Sequence, residues 1–406
     1  MKPQNKVGKT MKKGMVVIVM IQVMTLVFGA SVASAEAGSI AVGNMQLAPT
    51  ITLSESRNDN IFSQEPGNTV KKSWITTIAP SMILSADDGA NQYELGYNLS
   101  ESIYHQSHDD DYTDQVANFK ANLGLSRKLL VDFNVDYNLK HDARGSTFTG
   151  GAAAAVLTPD RYRETIVGAS ADYGTNAHMI ISGDYSNKRY TNNRVRTIAR
   201  DLDTVGGIVE FDYDLTGKTS AVLEARYRQF NYQYQTALVN LDSKEQVYFA
   251  GLNWDATAKT SGKVRVGYTR KNFIKASLID AGFFSWEIGV EWLPMSYSSW
   301  TLKTSSMPYE TDGSGSFIKN TGVDLAWNHA WSDRVHHDAT LSYSKADYQG
   351  SSARVDNVTK GSVSMSYQWL RWLAIQPLYE YTNNSSSAVK ASYRQNIWTL
   401  SLVGTL

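Results

Sequence analysis

The 406-residue sequence contains no cysteine, only 8 prolines and no charge excess, with 39 basic against 39 acidic residues. Without cysteine there is no disulfide framework, thiolate zinc site, iron–sulfur cluster or cysteine nucleophile. The even charge and 42% apolar content are the reverse of a disordered chain, which combines low hydrophobicity with high net charge. No phosphate-binding G-x-x-x-x-G-K-[ST] loop and no G-x-S-x-G elbow occurs. Beyond the first 35 residues, no apolar run is long enough to cross a bilayer as a helix.

The even charge conceals an asymmetry. Residues 1–35 carry Lys2, Lys6, Lys9, Lys12 and Lys13 and no acid, so the remainder holds 34 basic against 39 acidic residues, a net charge of −5. That acidity speaks against nucleic acid as a partner. An apolar run from Gly14 to Ala30 follows, ending in Ala33-Ser34-Ala35 before Glu36. A basic start, an apolar middle and an A-x-A box predict a secretory signal peptide over 1–35, cleaved after Ala35. A single membrane-spanning helix would need about 20 apolar residues and no cleavage box. An exported chain of 371 residues is expected: a short periplasmic segment over 36–46, then one domain over 47–406.

Alternation dominates that domain. In Leu129 to Asp142, Val131, Phe133, Val135, Tyr137 and Leu139 fall on one face, and Asp132, Asn134, Asp136 and Asn138 on the other. Val209, Phe211 and Tyr213 oppose Glu210, Asp212 and Asp214; Leu223, Ala225 and Tyr227 oppose Glu224, Arg226 and Arg228. Phe284, Trp286, Ile288, Val290 and Trp292 oppose Ser285, Glu287, Gly289 and Glu291. Period two is the mark of strands with one apolar face. The best helix candidate is Gly151 to Leu157, which sits between strands.

Eighteen strands are expected, near 47–58, 74–85, 91–105, 113–126, 129–142, 161–174, 178–190, 203–215, 219–232, 244–257, 261–273, 283–293, 298–306, 317–331, 335–346, 359–369, 373–383 and 391–405. Short turns such as Asp87-Asp88-Gly89 and Thr216-Gly217-Lys218 alternate with longer polar loops, the longest over 143–160. Soluble sandwiches and propellers use strands nearer five or six residues, and no fixed 20–50-residue repeat is present. Long strands, alternating loop lengths and tryptophans near strand ends (Trp292, Trp300, Trp327, Trp331, Trp369, Trp372, Trp398) favour a different solution. This is an all-β, transmembrane, antiparallel up-and-down β-barrel of about 18 strands (range 16–18), in the outer membrane of a Gram-negative bacterium with both termini periplasmic. Trp398, Leu400, Leu402, Gly404 and Leu406 alternate to the end as a closing strand should, although assembly signals usually finish on an aromatic residue.

Three stretches carry a family resemblance: Ser54 to Phe62 (SESRNDNIF), Trp74 to Ala86 with Pro80 inside the strand, and Gln92 to Tyr104 followed by the acidic Asp109 to Asp114. In this order they resemble the putative β-barrel porin family associated with exopolysaccharide secretion loci, most clearly over residues 47–145. The resemblance implies a barrel that helps an exported or biofilm polysaccharide cross the outer membrane. It would work beside a periplasmic polysaccharide-export protein and an inner-membrane polymerase system. Membrane lipid, lipopolysaccharide and the barrel-assembly machinery are the other expected partners.

The polar faces place Asp132, Asp136, Glu210, Asp212, Glu224, Arg226, Arg228, Lys263, Arg265, Glu287 and Glu291 on the lumen wall. Glu210 and Asp212 lie one hairpin from Arg226 and Arg228, so cross-strand pairing is expected between them. His105 and His108 precede Asp109-Asp110-Asp111, which reads as a solvated loop. His336-His337 beside Asp333 and Asp338 reads as turn chemistry. No catalytic residue, metal site or cofactor is expected: no histidine has an evident serine partner, and the histidine–aspartate clusters read as loop and turn. Three functions stay open: a polysaccharide-secretion barrel, a general or solute-selective diffusion porin, and a plugged structural or adhesive barrel.

Overall fold

The computed structural model describes residues 38–67, 70–235, 240–257, 259–350 and 353–405. The expected signal peptide and the terminal Leu406 lie outside the described residues. Nineteen strands occur: β1 (Ile40–Val42), β2 (Met45–Asn58), β3 (Ser73–Asp87), β4 (Asn91–Tyr104), β5 (Tyr112–Gly124), β6 (Leu129–Asp142), β7 (Asp160–Gly174), β8 (Ala177–Tyr190), β9 (Leu202–Thr216), β10 (Thr219–Tyr232), β11 (Ser243–Thr257), β12 (Thr260–Phe273), β13 (Ala281–Met295), β14 (Ser298–Glu310), β15 (Phe317–Ser332), β16 (Val335–Gln349), β17 (Val355–Leu370), β18 (Leu373–Ser386) and β19 (Tyr393–Thr405). The eighteen expected strands are β2 to β19, with no bound displaced by more than four residues. The extra strand, β1, forms a short hairpin with the start of β2, pairing Ile40 with Leu47.

Each strand pairs antiparallel with its sequence neighbour, and β19 returns to β2, from Ile397↔Asn58 to Thr405↔Thr50. Closure joins the last barrel strand to the first, the condition for a sheet to sit in lipid. One face carries exposed apolar side chains, such as Leu223, Leu341, Val363 and Leu400. The other is the concave side, because its side chains meet across intervening strands: Arg226 on β10 reaches Glu287 on β13. Tryptophans ring the outer wall near the short-turn end, where Trp300 and Trp327 stack 9° from parallel. Trp74 and Trp398 stand at the same outer face nearer the long loops.

Between β6 and β7 the expected helix is only a 3-10 turn, Ala153–Ala155. A short helix the alternation did not foretell, α1 (Arg194–Thr197), lies between β8 and β9. One hairpin departs from the cylinder. Pairing of β13 with β14 stops at Trp286↔Ser306, whereas β14 and β15 stay paired to Glu310↔Phe317. The tip of that hairpin is thus free of its neighbour and leans into the lumen.

Candidate functional site

The leaning hairpin pads one wall of the lumen. Met307 on β14 is 3% exposed and packs with Val247 and Phe249 of β11, three strands away. Glu310 at the tip accepts hydrogen bonds from Lys271 Nζ of β12 (2.5 Å) and from the Tyr232 hydroxyl of β10 (2.6 Å). Lys271 is fully buried, lies 3.8 Å from Glu245 and stands over the Phe230 ring. A buried ammonium persists only where carboxylates compensate its lost hydration, and two of them do so here.

Nearer the middle of the same wall, six of the eleven expected lumen residues form one network. Arg265 donates to Glu210 (3.1 Å), Glu224 (2.9 Å) and Asn253 (2.9 Å). Arg226 donates to Glu224 and makes a two-pronged contact with Glu287 (2.7 and 3.0 Å), which also lies 4.0 Å from Lys263. The planar guanidinium fork matches a carboxylate edge, which fixes these rotamers. The expected pairing of Glu210 and Asp212 with Arg226 and Arg228 is not made. Glu210 faces Glu224 across the β9–β10 ladder and takes its cation from β12, while Arg228 is 3.9 Å from Asp184 of β8. Inside a closed barrel the curvature brings next-but-one strands together, so cations serve more distant partners than a flat hairpin would allow.

The remaining expected residues lie apart. Asp132 and Asp136 are on the facing wall, where Asp132 accepts from Asn122 (2.5 Å) and Ser170 (3.2 Å) and Asp136 from Asn134 (3.1 Å). Asp212 Oδ1 is buried without a hydrogen-bond partner among the described residues, and Glu291 is exposed. His337 is not turn chemistry: it lies within β16 on the outer face and accepts the Trp331 indole N–H at 2.7 Å. Nor is the loop after β4 merely solvated. Asp110 is buried and holds Arg144 of the 143–159 loop in a two-pronged ion pair, with Arg144 Nε at 2.6 Å.

That 143–159 loop crosses the mouth. Arg144 also donates to Ser107 and the Val156 carbonyl, and its guanidinium lies 4.4 Å over the Phe62 ring. Gly145 has φ +84°, and a Cβ there would come within 1.9 Å of the Phe62 carbonyl oxygen, so only glycine permits the approach. Phe148 then extends to the opposite wall, where a Cβ on Gly313 of the β14–β15 tip would be 2.8 Å from its ring. The Arg200 guanidinium covers the same ring at 3.8 Å and donates to the buried Asp160 carboxylate at 2.8 Å. Cation–π and ion-pair contacts thus fasten the loop at both ends. The tip itself is anchored by Asp312, which accepts from the Tyr348 hydroxyl at 2.6 Å. Burial pushes the Asp312 carboxyl above its ordinary value, against the Tyr348 hydroxyl and Arg354, which favour the charged form.

Below the bridged mouth stands a tier of inward tyrosines that sequence reasoning missed. Tyr162 and Tyr190 pack 5.6 Å apart, Lys188 lies 3.7 Å over Tyr162, and the Tyr190 hydroxyl donates to Asp142. Tyr104 and Tyr112 form a second pair at 6.3 Å. The signal was parity: Tyr104 and Tyr190 share the even numbering of the polar residues Ser102, Lys188 and Ser186 on their strands.

The family described as "Putative beta-barrel porin 2" matches residues 34–405. No curated protein matches the sequence. Among solved structures, the outer membrane protein OpdK of Pseudomonas aeruginosa is 9% identical with a TM-score of 0.49, covering 88% of this chain and 98% of its own. OccK3 (OpdO) of the same organism is 13% identical at 0.48, covering 88% and 95%. The siderophore receptor PirA, again from Pseudomonas aeruginosa, is 8% identical at 0.46, covering 88% and 80%.

Proposed function

The chain belongs to the "Putative beta-barrel porin 2" family of outer-membrane β-barrels, and from that premise we propose that it is a conduit for saccharide chains, serving export of an exopolysaccharide or biofilm polymer. One observation carries the reading: on the β9–β13 wall of the lumen the charges are spent on one another, and a tyrosine tier stands above them. Paired charges present polar surface without a strong field for ions, which suits neutral hydrated chains. Tyrosine offers an apolar ring to the C–H face of a sugar and a hydroxyl to its polar edge. Many weak contacts of this kind allow passage without capture. The role is transport, not catalysis. In this reading residues 1–35 are the cleaved leader, both termini are periplasmic and the long loops face outward. The barrel-assembly machinery inserts the chain, and a periplasmic polysaccharide-export protein hands the polymer to the short-turn end.

The bridged mouth favours a second reading, a solute-selective diffusion pore whose loops set a narrow opening. Deleting the gene separates the two. Loss of surface polysaccharide with unchanged small-solute uptake is the expected result; intact polysaccharide with lost uptake would replace the first reading by the second. In planar bilayers the purified barrel should give discrete conductance steps that a linear neutral oligosaccharide interrupts. Tyr162→Ala with Tyr190→Ala should shorten those interruptions, and a barrel with no steps at all would be a plugged, structural one.

A further inference from the structure

The outer wall from β14 to β18 departs from the uniform apolar surface of a barrel. A groove of about 210 Å³ runs across it, walled by Trp300, Leu325, Trp327, Leu341, Val363 and Tyr379. Its floor is low because Ala339 and Gly361, both outward in register beside Val363 and Leu341, lack long side chains. Leu341 lies six residues in from Val335, the start of β16. That is about 20 Å along the strand and, at a tilt of about 40°, about 15 Å in depth, half of a hydrocarbon core of about 30 Å. The groove therefore extends in from the short-turn end of the wall by about the depth of one leaflet.

The surface end of the same strip is basic and aromatic. The β15–β16 turn carries Arg334 and the β17–β18 turn carries Arg371, both exposed and neither in an ion pair among the described residues. The Gln368 N–H donates to the Arg334 carbonyl at 2.8 Å, which joins the two turns side by side. Asp333 is the one acid in these turns. Trp331, Trp369 and Trp372 stand exposed around them, at the depth where amphipathic rings meet headgroups.

We propose that this strip is a binding site for a diacyl glycerophospholipid of the leaflet at the short-turn end. Arg334 and Arg371 hold the phosphate, the three tryptophans surround the glycerol backbone, and one acyl chain lies over Ala339 and Gly361. Charge complementarity selects the headgroup and the dent in the wall selects the chain, so both parts of one lipid are matched on adjacent strands.

Native mass spectrometry of the purified, folded barrel in a non-ionic detergent tests this. The probes are dioleoylphosphatidylglycerol and dioleoylglycerol, which share chains but differ in the phosphate. The barrel should retain the phospholipid at activation energies that strip the diacylglycerol. R334A/R371A should weaken phospholipid retention at least about tenfold, given two lost charge-assisted contacts, and leave diacylglycerol unchanged. A Cβ at Gly361 meets nothing closer than 3.8 Å, so G361L fills the groove without backbone strain and should weaken both lipids. Heat-modifiable electrophoretic mobility confirms that each variant is folded. Equal retention of the two lipids by the native chain, or unchanged retention in either variant, would overturn the proposal. So would preference for lipid A, which belongs to the other leaflet, or a G361L change in oligomeric mass with lipid adducts intact.

Discussion

The wall from β9 to β14 and the wall from β3 to β7 both carry inward charges but use them differently. On the first, Arg226, Arg265 and Lys271 reach across two or three strands, and their side chains are at most 12% exposed. On the second, contacts join adjacent strands: Lys120 meets Glu94 at 3.2 Å with side chains 55% and 38% exposed. The difference comes from the β14–β15 tip, which leaves β13 after Ser306 and brings Met307 and Glu310 over β10 to β12. Desolvation follows position, not composition. The same residue types are structural on one side of the barrel and lumen-solvating on the other.

Breaking the buried pair should show the contrast most strongly. Lys271→Met leaves Glu245 and Glu310 buried without their shared cation, a cost of about 3–5 kcal/mol, whereas Lys120→Met should cost no more than about 1 kcal/mol. Urea unfolding of the refolded barrel followed by tryptophan fluorescence measures both, and equal midpoint shifts would end the distinction between the walls. Next in size is ion selectivity. Arg226→Ala removes the two-pronged cation of Glu287, leaving it Lys263 at 4.0 Å, and one of the two cations on Glu224, so the reversal potential in a salt gradient should move toward cation preference. Asp132→Asn, which replaces a carboxylate that accepts hydrogen bonds from Asn122 and Ser170 on the facing wall, should move it far less.

The bridge between the walls comes third. Arg200→Ala removes the cation–π contact on Phe148 and one ion pair to Asp160, weakening the loop's hold by about 1–2 kcal/mol. Single-channel conductance should rise, and protease access at 143–159 should increase. A conductance equal to that of the native barrel would mean the loop does not narrow the path. The smallest effects are pH effects of opposite sign at the two ends. Asp312 is raised by burial, so its contribution to tip docking is fully present below its ordinary value of 3.8 and fades as pH rises through the raised value. Asp88, in the β3–β4 turn, is held down by the Asn91 side chain and the N–H groups of Asn91 and Ala90. Its stabilisation is present above 3.8 and is lost as pH falls through the lowered value. Hydrogen exchange at the two sites from acid to neutral pH should therefore trend in opposite directions, and Asp312→Asn and Asp88→Asn should each flatten their own trend.

Much of this was legible from alternation. All eighteen barrel strands, their order and the inward parity of Glu210, Glu224, Arg226, Arg265 and Glu287 follow from period two, because a closed sheet offers only two faces. Partner choice was not legible. A flat hairpin would pair Glu210 with Arg226, and curvature gives it Arg265 instead. Lys271 and Glu310 passed unnoticed because nothing local distinguishes a lysine in a wet lumen from one sealed under a bent hairpin. Phe148 and Arg200 lie in loops, where no periodicity speaks.

Local chemistry thus settles which residues form strands, which face meets lipid and that the sheet must close, since unpaired backbone in hydrocarbon costs too much to leave exposed. It cannot settle where the cylinder is dented. The inward lean of β14–β15, the loop laid across the mouth and the groove above Gly361 each depend on contacts between residues 40 to 165 positions apart or on the shape of several adjacent strands. Those are decided only when every strand is in place, because each contact compensates a desolvation that exists only in the assembled barrel.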